Sequence, residues 1–167
     1  MYYLVDSVSA LVTGWTADFY IRKGRSPTLT RKSAMAIGHT LGAIGIIGCA
    51  LAGTESYLIW LAVAGAGSGA IGAGIFAFPQ TLAGKHGAGK WVGLQNAVAN
   101  LAGVAAPALT GFVVARTSSF FIPFAVTSAL LVIGALGWVL GVGKLEPVKW
   151  GTGHLLRHAS PPVQVAE

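Results

Sequence analysis

Residues 14–52 read GWTADFYIRKGRSPTLTRKSAMAIGHTLGAIGIIGCALA. An apolar run ends at Asp18, turns basic at Arg22, Lys23, Arg25, Arg31 and Lys32, and gives way to nineteen residues, Ala34–Ala52, without one Lys, Arg, Asp or Glu. A segment of ~20 apolar residues matches the thickness of a bilayer's hydrocarbon core. The chain as a whole fits that solvent. Of its 167 residues 54% are hydrophobic and 10% charged, where soluble domains carry about 25% charged residues. So short a soluble chain could not bury that much apolar surface. Its 24 glycines suit helices that approach one another closely in lipid.

Working outward, three more uncharged runs follow at Tyr57–Leu82, Trp91–Val114 and Phe120–Val142. A fifth segment, Tyr2–Tyr20, has the length but carries Asp6 and Asp18. The sequence therefore predicts an all-α polytopic membrane protein with about five transmembrane helices over residues 1–150. The tail at 151–167, rich in Gly, Pro and polar residues, is expected to be disordered. Alternate connectors are strongly unequal in charge: one set holds ten of the eleven Lys and Arg residues, the other only Arg116. By the positive-inside rule the basic side is cytoplasmic, which puts the C-terminus inside and the chain, multi-pass, in the plasma membrane. The net charge of +6 thus belongs to topology and not to nucleic-acid binding, which needs a basic face on a folded domain. One cysteine, Cys49, excludes an internal disulfide. No signal-peptide pattern opens the chain.

Two apparent motifs carry no chemistry. GKHGAGKW, residues 84–91, has the glycines and lysine of a phosphate loop but Trp91 where Ser or Thr must hold magnesium; it reads as a flexible connector between spans. GAGSGAIGAG, residues 65–74, lacks the glycine a G-x-S-G protease pattern needs at Ala66, and reads as a stripe that admits another backbone or a substrate. No catalytic set, metal cluster or cofactor motif emerges.

The span at 91–114 is the most informative. Asn96, Asn100, Gly103, Pro107 and Gly111 fall within roughly an 80° arc of a helix, and Asn100 lies about 15 Å along it from Lys90. Amides at that depth either bond a neighbouring helix or face a polar cavity, so Asn96 and Asn100 are candidate substrate contacts. Asp6, roughly 18 Å from Asp18 along its helix, is a candidate for ion coupling, since a carboxylate inside a span is a functional hypothesis by default. His39 reads as a packed histidine. Gln80 and Gln95, near span ends, read as interfacial, and Trp60, Trp91, Trp138 and Trp150 as interface anchors.

The stretch GWTADFYIRKG resembles the cytoplasmic loop motif of the major facilitator superfamily, in the version between the eighth and ninth helices. WVGLQNAVANLAGVAAPALTGFVVARTSSFFIPF, residues 91–124, is similar to helices eleven and twelve of that superfamily's anion:cation symporters, and LGVGKLEPVKW to their C-terminal end. The resemblance covers residues 1–150 as helices eight to twelve of a twelve-helix transporter; the first half and helix seven have no counterpart here. It implies symport of a small organic anion (a sugar acid or aromatic carboxylate) with H+ or Na+ by alternating access. It places substrate contacts at Asn96 and Asn100. It implies a gating motif at Gly14, Asp18, Arg22 and Lys23, in which the acid locks one conformation against a basic loop residue; Asp18 and Arg22 are spaced to pair. Phe19 stands where the family often has Arg. The implied partners are the bilayer, the anion, the coupling ion, and the missing transporter half or a complementary chain. The alternative expectation is a split or truncated, non-transporting fragment that assembles with such a partner.

Overall fold

A computed structural model describes residues 1–148; the tail expected to be disordered, and Trp150, lie outside the described residues. Five α-helices follow one another: α1 (Tyr2–Arg22), α2 (Pro27–Leu51), α3 (Tyr57–Ile75), α4 (Ala77–Thr117) and α5 (Phe121–Leu136), the last running into a π-helical turn at Gly137–Gly141. The segments Pro27–Leu51, Tyr57–Lys85, Gly87–Thr117 and Phe121–Gly141 are each long and apolar enough to cross a membrane. The all-α polytopic architecture is as expected.

Each start and stop has a local cause. Ser26 caps α2 by accepting from the Leu29 amide at 3.4 Å, and Pro27 occupies the first helical position, where a missing N–H costs nothing. Ser118, at φ 52°, ends α4 in the left-handed region. Between α3 and α4 the break is slight, and Pro79 explains it. A proline has no N–H for the carbonyl four residues back and its ring crowds that carbonyl, here that of Ile75.

Helix α3 is the centre of the bundle, and its glycines face two neighbours. A Cβ on Gly67 would collide with the Gly42 amide and the Gly38 carbonyl of α2; one on Gly69 would strike the Asp6 carbonyl and, at 2.8 Å, the Ala10 amide of α1. Backbones thus meet backbones, with small residues at the seam. Hydroxyls add ties: Ser9 Oγ donates to the Ala66 carbonyl at 2.6 Å, and buried Ser128 Oγ of α5 to the Ala43 carbonyl of α2 at 2.8 Å. Such a hydrogen bond contributes about 0.6 kcal/mol on average in a bilayer. The large side chains gather at one end, where Met35, Phe78 and Leu145 are buried with Ile71, Trp138 and Val142 against them. Trp138 meets Phe78 edge-to-face, centroids 4.7 Å apart, so it is a packing residue and not the free interface anchor expected of it.

The connector expected at 84–90 is instead helical, apart from one residue. Gly84 has φ 67° and ψ −177°, a conformation essentially confined to glycine, and the helix resumes at once. The break frees the Leu82 carbonyl, and the Val148 amide takes it at 2.8 Å. This residue belongs to a strap, 142–148, that crosses the end of the bundle. Its Leu145 amide donates to Thr28 Oγ1 at 3.0 Å, while Lys32 Nζ donates to the carbonyls of Val139, at 3.0 Å, and Val142. Replacing Gly84 by Ala introduces about 1–3 kcal/mol of strain and favours an unbroken helix that reclaims Leu82. Hydrogen exchange at the Val148 amide should then quicken by roughly fivefold or more, while the amides of α2 and α3 keep their protection.

Candidate functional site

The expected gating residues divide between two settings. Gly14 and Asp18, one turn apart on α1, line a cleft of about 220 Å³ whose other walls are Arg31 and Ala34 of α2, Gly74 of α3 and Ala77 of α4. Arg22 and Lys23 lie outside it. Arg22 Nε reaches the backbone carbonyl of Asp18 at 3.4 Å, so the spacing of four brings the pair together through main chain and not through the carboxylate. Lys23 Nζ stands 4.4 Å over the Phe19 ring, a cation–π contact. The aromatic residue where relatives of the motif often carry Arg therefore holds a cation in place instead of supplying one.

The cation that shares the cleft with Asp18 is Arg31. Its Nη1 donates to Thr81 Oγ1 of α4 at 3.0 Å, and Thr81 Oγ1 donates to the Ala77 carbonyl at 2.7 Å. Arg31 and Thr81 escaped the sequence reading because fifty residues separate them; the basic run marked Arg31 as a cation but not as a tie between helices.

The asparagine face has a different environment. Asn96 and Asn100 are exposed, and no residue of Gly87–Thr117 with a described side chain is buried. Asn100 Nδ2 donates to the Asn96 backbone carbonyl at 2.8 Å, one turn back, leaving its amide oxygen outward. Among the described residues this part of α4 packs against neither α1 nor α2, so the structure does not bring Asn96 and Asn100 together with Asp6 or Asp18. What ties it back is Gln95, whose Nε2 donates to the Ile75 carbonyl at 3.1 Å. That is the carbonyl Pro79 leaves free. Gln95, read as interfacial, is a structural tie, adjacent in sequence to Asn96. Pro79 signals a free carbonyl at Ile75, but the sequence does not name its partner.

Asp6 is half-buried on α1 and forms no side-chain hydrogen bond or ion pair among the described residues. His39 is buried between α2 and α5: Nδ1–H donates to the Met35 carbonyl at 2.8 Å, and Nε2 lies 3.0 Å from where a Cβ on Gly134 would stand. It is the packed histidine expected.

Removing either Arg31 (to Gln) or the Thr81 hydroxyl (to Val) should lower stability by about 1.5–3 kcal/mol, the range for a hydrogen bond to a charged group. The double variant should lose no more than the larger single loss, measured as a cycle of thermal unfolding in detergent.

No family profile matches the chain. Curated relatives do. It is 32% identical over 139 residues to the ascorbate transporter, chloroplastic, of Arabidopsis thaliana, an alignment covering 83% of the chain and 25% of that protein. It is 30% identical over 150 residues to a probable galactarate/D-glucarate transporter of Bacillus subtilis, covering 87% of the chain and 32% of the relative. It is 29% identical over 147 residues to a D-galactonate transporter of Escherichia coli O6:H1, covering 87% and 34%. The chain thus spans about a quarter to a third of the length of these relatives, all of them transporters and none an enzyme. It is a homologue of anion and sugar-acid transporters, and its likeness to the anion:cation symporters of the major facilitator superfamily holds.

Proposed function

We propose that the chain forms the C-terminal portion of a secondary active transporter that carries a small organic anion, a sugar acid or an aromatic carboxylate, together with H+ or Na+ by alternating access. The observation that carries this reading is the relationship to anion transporters over 83–87% of the chain. In transporters built from repeats the substrate sits near the midplane between bundles that rock against each other. Here the α1–α2–α3–α5 bundle is one rocking body. The distal part of α4 offers Asn96 and Asn100 to the anion from a face that this bundle leaves open. Asp18 gates the basic end, with Arg22 and Lys23 on its own helix end and Arg31 across the cleft. Asp6 is the candidate coupling group. The basic end faces the cytoplasm, as the cation asymmetry indicates, and the membrane is the plasma membrane.

A second reading is a split or truncated, non-transporting fragment that assembles with a complementary chain. The open sides of Gly87–Thr117 favour it, because a helix with two inward-type amides and no bundle around it fits a missing neighbour. An antibody to residues 155–165, used to size the native protein in membranes, separates the two. A band far above 17 kDa supports the complete transporter, and a stable band near that mass supports the two-chain form.

In whichever form carries uptake, Asn100→Ala should weaken it roughly two- to tenfold, the effect of one hydrogen bond, with membrane expression intact. Unchanged uptake of labelled galactonate, glucarate and an aromatic carboxylate would remove Asn100 from the site. Asp18→Asn should instead shift the accessibility of engineered cysteines between the two membrane faces while substrate still binds. Identical labelling patterns would overturn the gate.

A further inference from the structure

We propose that the groove between α1 and α2 at the basic end of the bundle is a binding site for an anionic phospholipid; this rests on the chain being a membrane protein and not on its transporting anything. The groove encloses about 470 Å³ and its lining changes along its length. At the deep end stand Val12, Ile37 and Ala70; at the lip stand Tyr20, Arg25 and Ser26, with Thr16 and Thr30 between. Val12 and Tyr20 are eight residues apart, about 12 Å along the helix axis, which accommodates the upper part of an acyl chain.

The polar groups of this groove divide into committed and uncommitted: Ser26 caps α2 and Ser33, also in the lining, donates to the Leu29 carbonyl, whereas others are free. Ser33, Thr40, Thr117 and Thr127 each donate to the carbonyl four residues back, the usual resort of a hydroxyl in a membrane helix. The side-chain hydroxyls of Thr16, Thr30 and Tyr20 make no hydrogen bond among the described residues. The cations divide in the same way. Arg31 is engaged with Thr81, Lys32 with the carbonyls of Val139 and Val142, Arg22 with the Asp18 carbonyl and Lys23 with Phe19. The guanidinium of Arg25, at the lip, has no partner among the described residues.

A phospholipid presents matching groups in matching order. Its phosphate meets Arg25 and the Tyr20 hydroxyl at the lip, and its ester oxygens accept from Thr16 and Thr30 one level down. Its chain then runs between Val12 and Ile37. Net charge selects the headgroup. The choline of a zwitterionic lipid would bring an ammonium towards Arg22, Lys23 and Arg25, whereas an anionic headgroup brings none. Two acids line adjoining pockets, Asp18 in the cleft and Glu146 on the far side of Ser26 and Ser33, and neither lines this groove. A small soluble carboxylate would satisfy Arg25 but leave the apolar depth unused.

The test is native mass spectrometry on the full chain, extracted from its own membranes in mild detergent. It is titrated with phosphatidylglycerol or phosphatidylcholine of the same acyl chains. The expected result is a several-fold preference for phosphatidylglycerol that Arg25→Gln abolishes and Arg25→Lys largely keeps. The Thr16→Val, Thr30→Val double variant should lower phosphatidylglycerol retention while its helical circular dichroism stays unchanged. Equal retention of the two lipids, or a preference untouched by Arg25→Gln, overturns the proposal. Displacement of phosphatidylglycerol by galactonate, one for one, overturns it too, by assigning the groove to a soluble anion.

Discussion

Helices in hydrocarbon gain nothing by hiding leucine from one another, since lipid tails are equally apolar; what holds them is close contact of surfaces and the few hydrogen bonds between them. The seam where Gly67 of α3 lies against Gly38 and Gly42 of α2 meets that constraint directly. Without a Cβ at these positions the two backbones approach until main-chain atoms touch, and dispersion over the whole seam replaces the hydrophobic effect that a soluble core would use. The same helix receives α1 on Gly65 and Gly69. One glycine-rich span therefore fixes both neighbours, and with them the position of Asp18 beside Arg31.

The second demand of the bilayer is that no carbonyl go unanswered. Among the described residues, two places where the helical ladder is broken are answered from far away in sequence. Pro79 frees the carbonyl of Ile75, and Gln95 supplies the donor. Gly84 frees that of Leu82, and Val148 supplies it. Lys32 serves the carbonyls at the π-helical turn after α5 in the same manner. These breaks are thus the points at which the strap and the distal half of α4 are attached to the bundle.

This division explains what the sequence made legible. Span positions follow from uncharged runs of the right length, and the glycine stripe at 65–74 announces close approach, because both depend on local composition alone. The gating role of Asp18 was only implied by the family resemblance, whereas the placing of Asn96 and Asn100 on one helix face was legible too, as spacing on a single helix. Arg31–Thr81, Gln95–Ile75 and Val148–Leu82 were not, because each joins residues at least twenty positions apart and is decided by which helix faces which. The connector at 84–90 misled for a related reason. Three glycines in seven residues suggest a flexible turn, yet only Gly84 leaves the helical region. The others can stay helical at about 1 kcal/mol each relative to Ala, a cost that intact hydrogen bonds on a long apolar segment offset.

A consequence for mechanism follows from where the breaks lie. The distal part of α4, with the two asparagines, departs from the first part at Gly84, is tied to Ile75 by the Gln95 hydrogen bond, and continues into α5 through residues 118–120. A bond of that kind is worth about 1 kcal/mol, less than twice thermal energy, so the Gln95 tie by itself adds little stiffness at Gly84. The seams of α3 with α1 and α2, made of backbone contacts along whole helices, cannot shear so easily. Relative motion of the two is therefore easiest at Gly84 and at the α4–α5 connection, between a body that carries Asp18 and a helix that carries Asn96 and Asn100. In the transporter reading proposed above, an anion bridging the two would add its own contacts to the Gln95 tie and hold α4 in one orientation.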